Sequence, residues 1–280
     1  MQTLSTTVFV EGFSFGEGPR WHDDRLWFTD CPAGAVMTVD TSGRLEVAVE
    51  TALPSGLGWL PDGTLVISTM YEATIKRVGP DGVSVSHDLS NVAWATNDLV
   101  AGPDGSIYVD LYNRTDDGIA GAIGLVAPND EFRVVATDLA TPNGLAITPD
   151  CSTLIVSETF GERVLAFTIG ADGSLGGQRV FAELGEGRHP DGLCLDAEGA
   201  VWVACYDTGE FLRVLDGGEI THRIHTEPGW AIAPALGGAD RRTLYLIIND
   251  SEHLERRREV PDSRGRIEQV RVDVPGAGWP

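Results

Sequence analysis

The chain has 280 residues, with 42 Asp and Glu against 20 Lys and Arg and a formal net charge of −22. A field this negative repels a polyanion, so nucleic acid is excluded as a partner. Hydrophobic residues at 42%, a mean hydropathy of −0.04, 34 Gly and 15 Pro describe a globular chain with a sizeable core and many tight turns, and exclude a disordered acidic tail.

In chain order, Met1 to Thr7 show no basic segment followed by an apolar run, and no stretch nears the roughly 18 apolar residues of a membrane helix. A cytoplasmic protein with no membrane partner is expected. Thr6 to Val10 read as a strand whose partner is expected near Arg266 to Val274. From Glu17 onward one template recurs, a short strand, a Pro-Asp-Gly-like turn and a second strand. Its copies begin at Glu17, Ser55, Asn97, Asn143 and Asp191, and their turns fall at Asp23 and Asp24, at 61–63, 103–105, 149–152 and 196–199. A sixth, degenerate copy begins near Trp230 and continues through Thr243 to Ile248. Successive starts are 38, 42, 46, 48 and 39 residues apart. Each copy adds a third and often a fourth strand, as in Arg163 to Ile169 followed by Gln178 to Ala182. Four short antiparallel strands in each repeat of this length specify a propeller blade. The expected fold is all-β, a six-bladed β-propeller formed by residues 1–280 as one domain, with the N-terminal strand closing the last blade.

Cys31, Cys151, Cys194 and Cys205 lack CxxC spacing. A turn at 196–199 sets Cys194 opposite about Val201, not Cys205, so four free thiols are expected. Lys76 is the sole lysine. Arg256, Arg257 and Arg258 are flanked by Glu252, Glu255, Glu259 and Asp262, which reads as a solvated, internally paired loop.

In a propeller the innermost strands surround the axis, so the first residue of each copy faces a shared centre. Those residues are Glu17, Ser55, Asn97, Asn143, Asp191 and Trp230. Asn-Gly and Asp-Gly are common turn dipeptides, but that alone does not set carboxylate or amide oxygens at one register in four blades. Converging oxygens suit a hard divalent cation, which also relieves the repulsion between two buried carboxylates. Asp110, Glu158 and Tyr206, at or just past second-strand ends, belong to the same face and read as solvated or inter-blade hydrogen-bonding residues. His22 sits in the first hairpin tip, on the opposite face. His189 reads as packing or turn stabilisation.

The motifs Phe15-Gly16-Glu17-Gly18-Pro19-Arg20-Trp21, Asn97-Asp98 followed by Gly102-Pro103-Asp104-Gly105, Pro142-Asn143-Gly144-Leu145-Ala146 and His189-Pro190-Asp191-Gly192-Leu193 resemble the regucalcin/gluconolactonase/luciferin-regenerating-enzyme family of six-bladed propellers. The resemblance runs from about Phe13 to Arg271. It implies one divalent cation, calcium foremost, with zinc, magnesium or manganese in other members, held by Glu17, Asn143 and Asp191. It implies that Asn97 contacts the substrate or a water on the cation. It further implies a lactonase, with the cation polarising the carbonyl and Asp191 as general base for the attacking water.

One departure concerns the substrate. Sugar-acid lactonases of that family commonly have an arginine two residues before the asparagine matching Asn97, and this chain has Ala95 there, preceded by Trp94. Without a five-donor guanidinium the cavity suits a less polar or larger lactone or ester, with Trp94, Tyr71, Tyr112 and Trp230 as wall residues. Two other readings keep the same residues: an organophosphate-ester hydrolase, and a non-catalytic calcium- or small-molecule-binding propeller. A condensation enzyme of the strictosidine-synthase kind has no need of this oxygen set. Nothing in the sequence sets an oligomeric state.

Overall fold

A computed structural model of the chain describes residues 1–115, 118–250 and 264–278. Six sheets follow one another around an axis; the first four run from an innermost to an outermost strand in chain order, and in the last two a strand from the N-terminal segment takes the outermost place. Blade 1 comprises Gly16–His22, Arg25–Asp30, Ala35–Val39 and Leu45–Glu50. Blade 2 comprises Pro54–Trp59, Leu65–Thr69, Thr74–Gly79 and Gly82–Asp88. The inner strands of blades 3 to 6 are Ala95–Ala101, Pro142–Ile147, Pro190–Leu195 and Trp230–Gly237. Every copy of the sequence template therefore starts an inner strand. The repeats fold as blades because each hairpin is specified locally. At 61–63, for example, Gly63 takes φ +84° and Asp62 accepts the Thr64 N–H, an arrangement open to Gly and Asx residues.

The core is a ring of contacts between neighbouring blades. Val36 of blade 1 packs on Leu57 and Ile67 of blade 2. Val66 and Ile75 of blade 2 pack on Leu99 and Val109 of blade 3. The pattern continues around to Phe28 and Trp21 of blade 1 against Tyr245 and Ile247 of blade 6. Inner strands are buried on both faces, which is why they read as runs of apolar and small residues, whereas the outer strand Gly82–Asp88 is largely exposed.

Blade 6 closes as the sequence predicts, with Thr7–Phe13 antiparallel to Gly265–Arg271. Gln2–Thr3 go further and add a parallel fifth strand to blade 5 beside Ile220–His225, which the sequence reading did not foresee. Among the described residues the helical content is one 3-10 turn, Thr159–Gly161. No helix among them is long and apolar enough to cross a membrane. All four cysteines are free thiols. Cys194 pairs with Trp202, one residue from the register read off the turn. Arg256, Arg257 and Arg258 lie outside the described residues.

Candidate active site

Each inner strand breaks its ladder at the same place. The register slips between Glu17 and Arg20, Pro54 and Leu57, Thr96 and Leu99, Pro142 and Leu145, Pro190 and Leu193, and Ala231 and Ala233. A β-bulge bends a strand and re-aims its side chains. Here it sets Ser55, Asn97, Asn143 and Asp191 at the axis, in place of strict alternation. The following residue is glycine in four blades because the blades touch there. A Cβ on Gly56 would lie 2.3 Å from the Leu99 nitrogen, and one on Gly192 would lie 2.3 Å from the Ala233 Cβ.

The bulges are tied from blade to blade by hydroxyl groups. Thr29 Oγ1 of blade 1 donates to the Ser55 carbonyl (2.7 Å), and Ser68 of blade 2 donates to the Asn97 carbonyl. Tyr112 Oη of blade 3 donates to the Pro142 carbonyl (2.7 Å), and Thr159 Oγ1 of blade 4 donates to the Pro190 carbonyl (2.8 Å). Each hydroxyl comes from the second strand of a blade, or from just past it, and fixes the backbone at or next to an inner-strand residue of the next blade.

These constraints enclose a cavity of about 230 Å³ at one end of the axis. Glu17, Asn97, Asn143 and Asp191 line it together with Trp94, Tyr112, Trp230 and Tyr71, so the oxygen-bearing and wall residues expected from the sequence meet in one place, whereas Ser55, at the same register, is not among the lining residues. Tyr71, Phe160 and Tyr206 form its rim, and Ala95 and Met70 its wall near Asn97. Glu17 and Asp191 are 5% and 7% exposed. Among the described residues no three His, Cys, Asp or Glu cluster for a metal. The donor set is instead two carboxylates and amide oxygens, an all-oxygen set suited to a hard cation and unlike a Cys/His zinc site.

Below the cavity the axis carries further charge. Arg20 of blade 1 pairs with Asp98 of blade 3 at 3.1 Å, with both side chains buried. Asp110 Oδ1 and Oδ2 accept the backbone N–H groups of Asn97 and Asp98 at 2.6 and 3.0 Å, clamping the blade 3 bulge. Complete burial pushes the Asp110 carboxyl well above the usual carboxylate range, and the nearby Asp98 carboxylate adds to the effect. Glu158 accepts the Ala140 N–H and pairs with Arg163. His22 stacks on Trp59 at the far end of the molecule. His189 is hydrogen-bonded to Asp207 and lies against Phe160 and Tyr206, the packing role expected of it.

The sequence reading missed Phe160, Ile119, Thr141 and Thr159 as lining residues. Thr159 and Phe160 lie just past a second-strand end, and that position is the one signal that points to them.

The model of the SMP-30/Gluconolactonase/LRE-like region matches residues 15–248. The chain belongs to this family. Among its relatives is the 6-deoxy-6-sulfogluconolactonase of Pseudomonas putida, 30% identical over 95% of this chain and 94% of the relative. Pentonolactonase XacC of Haloferax volcanii is 26% identical over 98% and 96%. The crystal structure of the calcium-binding protein regucalcin from Agrobacterium tumefaciens superposes with a TM-score of 0.83 at 23% identity, covering 100% of this chain and 97% of that one. The likeness of fold fits the six blades described above.

Proposed function

We propose that this protein hydrolyses a lactone in the axial cavity with the help of one divalent cation. The observation that carries the reading is the meeting of Glu17, Asn97, Asn143 and Asp191 in the lining of a single cavity, in a chain two of whose relatives bear lactonase names. Glu17, Asn143 and Asp191 hold the cation, and calcium suits oxygen ligands of this kind. A cation bound there supplies Lewis-acid polarisation of the ester carbonyl and stabilises the charge that develops on its oxygen. Asp191 takes a proton from the attacking water and returns it to the ring oxygen as the acyl C–O bond opens, giving the hydroxy acid. Asn97 directs its remaining amide hydrogen at a substrate oxygen.

Trp94, Tyr112 and Trp230, with Tyr71, form the walls that hold the rest of the substrate. Ala95 is 1% exposed and lines the cavity, at the position where the resemblance to sugar-acid lactonases commonly implies an arginine. The wall beside Asn97 is therefore apolar, and the substrate we propose is less polar than a simple sugar lactone.

The test is a panel running from aldonolactones to alkyl- and aryl-substituted lactones, with a phosphotriester alongside, assayed with wild-type protein and Asp191→Ala, each with calcium and with chelator. We expect lactone turnover that is lost on chelation, restored by calcium, and reduced at least ~100-fold in Asp191→Ala. Full activity in metal-free protein, or turnover of the phosphotriester alone, overturns the reading.

A further inference from the structure

We infer that Ser55 is a positioning residue for the cation site, acting through Asn97 on Asn143; the inference rests on the metal reading proposed above. Three facts carry it. Ser55 Oγ is hydrogen-bonded to Asn97 Oδ1 at 2.5 Å, and Asn97 Nδ2 donates to Asn143 Oδ1 at 3.0 Å, forming a relay across the inner strands of blades 2, 3 and 4. Ser55 is 1% exposed and Asn97 2%, so the bond between them is shielded from competing water, while Asn143 at the end of the relay is half-buried and faces the cavity. The backbone at both of these residues is fixed independently, Ser55 by the Thr29 hydroxyl and Asn97 by Asp110 and Ser68.

The relay determines which end of each amide points where. A hydroxyl donating to the Asn97 oxygen leaves the Asn97 NH₂ to face blade 4, and Asn143 must then present its oxygen to that NH₂. A carbonyl oxygen carries two lone pairs. One accepts from Asn97 and the other remains for a cation in the cavity, with the N–H donor holding the ligand in place as supporting hydrogen bonds do in metal sites. Among the six residues at this register Ser55 is the one hydroxyl. A hydroxyl is short enough to sit behind the wall, and it donates without adding a third carboxylate. Without it Asn97 loses the donor on its oxygen, its amide is free to turn over, and the oxygens of Asn97 and Asn143 then face each other.

The experiment compares wild-type protein with Ser55→Ala by calorimetric titration with calcium chloride, and by melting temperature in excess chelator. Ser55→Ala removes one oxygen atom, and we expect its calcium affinity to fall about 10-fold or more while the cation-free melting temperature stays within about 2 °C of wild type. Ser55→Thr, which keeps a hydroxyl on the same carbon, is expected to stay within about threefold of wild type in affinity. Unchanged affinity in Ser55→Ala overturns the relay. So does a loss of affinity matched by a large fall in the cation-free melting temperature, because that assigns Ser55 to packing. A wild-type protein that binds no calcium, zinc, magnesium or manganese overturns the metal reading itself, an outcome separate from either of the others.

Discussion

Arg20 and Asp98 are joined across the propeller axis, from blade 1 to the non-adjacent blade 3. The guanidinium Nη2 lies 3.1 Å from Asp98 Oδ1 and donates to the Leu99 carbonyl at 2.8 Å, while Asp98 Oδ2 accepts the Leu145 N–H of blade 4 at 3.2 Å. One side-chain pair therefore links three blades beneath the cavity. In blades 1, 2, 4 and 5 a glycine occupies the position of Asp98, so blade 3 alone among these has a side chain free to reach inward.

Breaking a buried ion pair from one side leaves an uncompensated charge. Arg20→Ala is predicted to lower the free energy of unfolding by about 3–5 kcal/mol. The double variant Arg20→Met with Asp98→Leu should recover much of that loss. Urea denaturation of the set measures both, and a single variant as stable as wild type shows that the pair holds nothing.

Gly192→Ala places a Cβ 2.3 Å from that of Ala233, a contact that requires blades 5 and 6 to move apart. The predicted cost is at least ~1–3 kcal/mol. Gly79→Ala is the control, with no atom of the described residues within 4 Å of the new methyl, and should change stability by no more than ~0.5 kcal/mol.

Glu210 accounts for an acid-sensitive part of the stability. Burial raises its pKa, but hydrogen bonding to Arg188 and the charges of Arg188 and Arg223 outweigh that, and the net shift is downward. A carboxylate depressed in the folded state stabilises above its unfolded pKa, near 4.5, and loses that contribution as pH falls through the folded value. Glu210→Gln should therefore be less stable than wild type at pH 7, and the gap should narrow steadily below pH 4.5. Chemical denaturation at pH 7, 5 and 3 follows the difference, and a gap that does not change with pH rules out this account.

Ala95→Arg introduces five N–H donors into the apolar wall beside Asn97. The ratio of kcat/KM for an aldonolactone over an alkyl-substituted lactone should rise at least ~10-fold. Competition assays with the two substrates read the ratio directly, and no change removes position 95 from substrate selection.

The fold was legible because a repeat writes its architecture six times. Asp62, Asp104, Asp150 and Asp196 each accept the N–H two residues on, so every one of these hairpin turns had a local cause visible in the sequence. The site was legible for the same reason: one register, sampled six times, showed amides and carboxylates at Glu17, Asn97, Asn143 and Asp191. What joins blade to blade was not. Nothing near Arg20 announces Asp98, 78 residues away, and nothing near Ser55 announces the bond of its hydroxyl to Asn97, 42 residues on. The bulges were hidden as well, because a register slip depends on how two strands pair and leaves no mark in either one alone. The parallel strand Gln2–Thr3 is two residues long, too short for any periodicity to show.

The seam between the first and last strands also has a consequence in time. Thr7 pairs with Gln269 and Val8 with Glu268, so ribosomes adding 5–20 residues per second keep the first strand waiting on the order of tens of seconds for its partner. Throughout that interval Thr7–Phe13 is an open edge, able to join any unpaired strand it meets. Contacts of such long sequence separation form slowly, so we predict that joining the two ends is the last step of assembly. A circular permutant that links residues 6 and 272 and opens at an exposed hairpin tip should then mature faster than the natural order.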